Sequence, residues 1–78
     1  MEIKILGTGC SKCKNLEEIT RRVVRENGID AEITKVEDIV EIIKFNIMTT
    51  PALVVNGKVV SKGRIPSLDE LKILLTNN

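Results

Sequence analysis

The sequence predicts an α/β domain of order βαβαββα, a four-stranded mixed sheet with three helices. Three observations predict it. Period-two alternation and helical apolar stripes take turns along the first half of the chain. The connection between the first two strands is long enough for a helical crossover, which makes them parallel and right-handed. Asn56-Gly57, between Ala52–Val55 and Lys58–Ser61, is the dipeptide that closes tight hairpins. The first strand is therefore expected at the centre of the sheet and the hairpin antiparallel within itself. The first and third helices should share one face and the second should take the other.

Taken in order, residues 2–6 read as a strand, with Ile3 and Ile5 on one side and Lys4 on the other. Gly7 and Gly9 bracket Thr8, a turn expected to leave access to Cys10 free of side chains. A helix is expected from about Ser11 to Asn27, its stripe made by Leu16, Ile19, Thr20, Val23 and Val24. Glu17/Arg21 and Glu18/Arg22 are i,i+4 pairs on its wet side, and Gly28 is its left-handed cap. Ile29, Ala31 and Ile33 alternate with polar residues as a second strand. Asp38-Ile39-Val40-Glu41 reads as a capping box opening a short helix that buries Ile39, Ile42 and Ile43 and ends near Asn46. Ser67-Leu68-Asp69-Glu70 is a second box, before a helix burying Leu68, Leu71, Leu74 and Leu75.

The chain of 78 residues is short enough to be a single domain over 1–78, and 42% hydrophobic with 29% charged residues describes a folded, soluble one. A net charge of +1 and a lone aromatic, Phe45, exclude a nucleic-acid platform. No apolar run approaches the ~20 residues of a membrane span and no signal pattern opens the chain, so the expected location is cytoplasmic. There a cysteine pair is rarely a permanent staple.

Both cysteines, Cys10 and Cys13, lie in Gly7-Thr8-Gly9-Cys10-Ser11-Lys12-Cys13, where a strand gives way to a helix. The helix N-terminus favours a thiolate, and Lys12 adds charge that would tune it. Cys10, flanked by glycine, should be the exposed attacker. Cys13, one turn in, should be the shielded thiol that resolves the mixed disulfide. A strand, a Gly-Thr-Gly-Cys-x-x-Cys loop and a helix also describe a carrier of Cu or Zn through two thiolates. With no histidine and only two cysteines, a closed zinc site would need carboxylates or a second chain. Such carriers have a different element order and end in a strand.

With the order βαβαββα, the Cys-x-x-Cys after the first strand and Thr50-Pro51 before the third, the chain resembles the thioredoxin/glutaredoxin superfamily over essentially its whole length. It is most similar to the small redox-active disulfide proteins of archaea and bacteria. The resemblance implies a thioredoxin-like fold, with Cys10 as nucleophile and Cys13 as resolver. It further implies a cis Pro51 beside the disulfide, a Thr50 backbone that pairs with the substrate chain, and a Gly63 that lets substrate approach. No metal and no cofactor beyond the Cys10–Cys13 disulfide is implied. The expected partners are protein disulfides and a thioredoxin-reductase-like electron donor, with the protein working as a monomer. Thr49-Thr50-Pro51 is similar to the glutathione-holding Thr-Val-Pro of glutaredoxins, but Lys62–Ser67 departs from their second glutathione segment, which argues against glutathione. The expected function is small-protein thiol–disulfide exchange. A two-cysteine metal carrier and a non-catalytic docking module that uses Thr50 are the alternatives.

Overall fold

A computed structural model describes residues 1–76. The elements run β1 (Glu2–Leu6), α1 (Ser11–Glu26), β2 (Glu32–Val36), α2 (Ile39–Ile43), β3 (Ala52–Val55), β4 (Lys58–Lys62) and α3 (Leu68–Thr76). The strands form one sheet in the order β2-β1-β3-β4. β1 is parallel to β2 and antiparallel to β3, and β3 is antiparallel to β4. This is the predicted thioredoxin-like α/β architecture, including the interior first strand.

Each strand sends alternate residues to opposite faces. Ile3, Ile5, Leu53 and Val55 meet Leu16 and Val23 of α1 and Leu71 and Leu75 of α3 in one core. Leu6, Ala52 and Val54 face the other way, against Ile42 of α2 and Ile47. The hairpin closes as its sequence demands. Asn56 and Gly57 take φ of 51° and 82°, and Asn56 exchanges hydrogen bonds with Glu2 of β1, tying the turn to the sheet.

Local chemistry sets the boundaries. The N–H groups of Gly28 and Ile29 donate to the carbonyls of Arg25 and Val24, a Schellman ending with Gly28 at φ 60°. That ending occupies Ile29, so β2 begins not at Ile29 but at Glu32, which pairs with Glu2 of β1. Asp38 caps α2 by accepting from Val40 N–H at 2.9 Å, and Ser67 Oγ accepts from Glu70 N–H at 3.1 Å. The acids that would complete the two boxes pair elsewhere, Glu41 with Lys44 and Glu70 with Arg64. On α1, Arg21 pairs with Glu17 as expected, but Arg22 pairs with Glu26 in place of Glu18.

Some burial expectations fail, in the shortest helix and at the start of α3. Ile39 and Ile43 are 62% and 60% exposed, because five-residue α2 presents only Ile42 to the sheet. Leu68, at the first turn of α3, is also exposed.

Candidate active site

Register brings four segments to one edge of the sheet. Leu6 pairs with both Val36 and Ala52, and Ala52 pairs with Lys62. The residues that follow or precede these partners (Gly7, Glu37, Pro51 and Gly63) therefore lie side by side. Hydrogen bonds tighten the set. Gly7 N–H donates to the Val36 carbonyl at 3.0 Å, and Gly63 N–H donates to the Pro51 carbonyl at 2.9 Å. The Thr50–Pro51 peptide bond is cis, Thr50 is exposed and Pro51 is buried. Gly63 takes φ 73°, and a Cβ there would lie 3.0 Å from Thr49 Oγ1. A side chain at 63 would thus press on the segment that leads into Pro51.

Cys10 is the N-cap of α1. Its backbone is extended, and its sulfur takes the place of the usual capping oxygen, accepting from Cys13 N–H at 3.3 Å. Gly9 precedes it at φ 85°, a conformation that turns the strand end into the cap. Cys10 is exposed and Cys13 is 6% exposed, both as free thiols. The Cys10 thiol is lowered below an ordinary cysteine, first by the hydrogen bond from the Cys13 side chain and then by the Cys13 and Lys12 backbone N–H groups. Cys13 is pushed up, first by burial and then by giving its hydrogen bond to Cys10. Lys12 thus acts on Cys10 through its backbone. Its ammonium, which the sequence nominated, is not among the causes.

Two features of the site were not read from the sequence. The first is the room that Gly7 makes for Cys13. A Cβ at Gly7 would lie 2.3 Å from Cys13 Sγ, so the missing side chain is the space that the resolving thiol occupies. The second is an apolar groove of about 550 Å³ between the two loops of the site, rimmed by Thr8 and Thr50 and walled by Ile39, Ile43 and Met48. Its signal was present in Ile39-Val40-Glu41-Ile42-Ile43, a helix apolar on more sides than one short turn buries. Among the described residues there is no group of three or more His, Cys, Asp or Glu placed to hold a metal ion.

A family model described as a thioredoxin domain matches residues 1–76. A thioredoxin of Methanothermobacter thermautotrophicus is 40% identical over 76 residues, covering 97% of this chain and 99% of the relative. One of Methanocaldococcus jannaschii is 44% identical over 70 residues, covering 90% and 80%. The chain belongs to the thioredoxin family. A probable thioredoxin of Archaeoglobus fulgidus, 33% identical over 69 residues, covers 85% of this chain and 75% of its own. This thioredoxin-family protein is a small protein thiol–disulfide oxidoreductase. Among the described residues, none of its helices is long and apolar enough to cross a membrane.

Proposed function

We propose that Cys10 is the nucleophile and Cys13 the resolving thiol of dithiol–disulfide exchange with protein targets, carried out by one domain over residues 1–78. The observation that carries this reading is the inequality of the two sulfurs. One caps the helix, exposed and lowered, and the other is buried one turn inside and raised.

In the first step the Cys10 thiolate attacks one sulfur of the target disulfide. The target's S–S bond breaks, and its second sulfur leaves as a thiolate that takes up a proton. In the second step Cys13 gives up its proton and attacks Cys10 Sγ. The Cys10–target bond breaks, and the target's other sulfur leaves. The target has gained two electrons and two protons, and the protein holds a Cys10–Cys13 disulfide. A thioredoxin-reductase-like donor would return the dithiol. A monomeric working form and a cytoplasmic location belong to the same reading.

Thr50, Pro51 and Gly63 are assigned to the target. Thr50 is exposed next to Pro51, where its backbone would pair with an extended chain, and Gly63 keeps the neighbouring Thr49 clear of a side chain. The groove supports polypeptide targets over glutathione, since none of the described residues that line it carries a charge to receive glutathione's carboxylates.

The test is reduction of insulin disulfides with dithiothreitol as electron source. Wild type accelerates the reaction and Cys10→Ser abolishes it, whereas reduced Cys13→Ser mixed with insulin after dithiothreitol is removed retains a covalent mixed disulfide on Cys10. A folded wild-type protein with titratable thiols and no acceleration overturns the reading.

A further inference from the structure

We infer that Gly7 is a positioning residue for the resolving thiol, and that the niche left by its missing side chain holds Cys13 in the dithiol form and so sets the potential of the Cys10–Cys13 couple. The inference rests on the exchange reading above and goes beyond it by assigning a control point outside the two cysteines.

Three observations carry it. The backbone does not require glycine at position 7, because Gly7 is not in the left-handed region and its N–H makes an ordinary ladder bond to Val36. Space does require it. A Cβ at position 7 would sit 2.3 Å from Cys13 Sγ and 3.0 Å from Cys13 Cβ, far inside contact distance. The thiol in that niche is also the buried one, with no solvent into which to swing freely.

The two oxidation states use the niche differently. In the dithiol, Cys13 Sγ lies against Gly7. In the disulfide, Cys13 Sγ must come within about 2.05 Å of Cys10 Sγ, and Cys10 stands on the exposed side of the helix start. Oxidation thus draws the sulfur out of the niche. A methyl group placed there opposes the dithiol more than the disulfide, and the couple becomes more reducing.

The balance is that of the exchange itself. Protein disulfide plus dithiothreitol dithiol gives protein dithiol plus the cyclic dithiothreitol disulfide, with two electrons and two protons moving together. Equilibrating Gly7→Ala and wild type with dithiothreitol mixtures, trapping thiols by alkylation and reading the mass shift gives both equilibrium constants. The expected result is a shift of about tenfold toward the protein disulfide, equivalent to about 30 mV more negative. An unchanged constant, or a shift toward the dithiol, overturns the inference.

A second measurement covers the case in which Gly7→Ala folds poorly. In reducing buffer, the destabilisation caused by Gly7→Ala should shrink in a Cys13→Ala background, because the atom it strikes has gone. Additive effects, or a Gly7→Ala cost that grows in the Cys13→Ala background, overturn it. A wild-type pair that never forms the disulfide would remove the exchange reading and this inference with it, whereas additivity in the reduced protein would remove only this one.

Discussion

On one face of the sheet, α1 and α3 press Leu16, Val23, Leu71 and Leu75 onto Ile3, Ile5, Leu53 and Val55, each of them at most 3% exposed. On the other face, α2 supplies only Ile42 to the core and leaves Ile39 and Ile43 more than half exposed, with Met48 at 97% beyond them. The strands are the same, and the difference lies in helix length. A sixteen-residue helix has turns enough to bury a stripe and wet the rest, whereas five residues give one inward position. Stability is therefore concentrated under α1. The thin face keeps apolar surface uncommitted beside Thr8 and Thr50, where a target joined to Cys10 would lie.

The largest expected effect contrasts one residue from each face. Leu16→Ala removes a fully buried side chain and should cost about 3 kcal/mol, while Ile43→Ala should change stability by no more than about 0.5 kcal/mol. Thermal melts followed by circular dichroism measure both, since the chain has no tryptophan or tyrosine to report by fluorescence. Equal losses would break the comparison. Next in size is the thin face's own contribution. Replacing Ile43 and Met48 together by serine should slow reduction of a protein disulfide about tenfold without lowering the melting temperature. A melting point that falls with the rate would make these residues structural.

What could be read from the sequence followed the same division. The stripe of α1, the hairpin at Asn56-Gly57 and the cap at Gly28 are local patterns, and each formed where it was expected. The α2 residues misled because Ile39-Val40-Glu41-Ile42-Ile43 says that apolar surface exists without saying how much of it another element covers. The cysteines were legible as a pair, since their spacing and place at a helix start are one-dimensional facts. Lys12 was nominated for its charge, which is visible in a sequence, whereas the N–H groups that lower Cys10, its own among them, are common to every residue and act only through geometry. Gly7 looked like a turn residue. Its contact with Cys13 depends on how β1 runs under α1, which no spacing encodes.

A smaller effect sharpens the comparison from inside the thick face. Thr20 is fully buried in α1, and its Oγ1 has no hydrogen-bond partner among the described residues, so the dense core carries a hydroxyl without a visible partner. Thr20→Val keeps the shape and removes the penalty, and should raise stability by about 1 kcal/mol. A loss on this substitution would mean that the hydroxyl is satisfied in solution.

The smallest effect is confined to the helix start, where the two faces meet. Cys10 is lowered chiefly by the hydrogen bond from the Cys13 side chain, with the N–H groups of Cys13 and Lys12 adding to it. Cys13→Ala removes the first and keeps the others. A lowered thiol is more fully ionised at neutral pH, so losing part of the lowering reduces the thiolate fraction there and moves the midpoint of Cys10 alkylation against pH upward. It should stop short of an ordinary cysteine, because the capping N–H groups still point at the sulfur. Well above both midpoints the two proteins should alkylate alike. No upward movement would show that Cys13 acts on Cys10 only through its backbone. A complete return to ordinary behaviour would show that the cap contributes nothing, and that the buried thiol alone makes its exposed neighbour reactive.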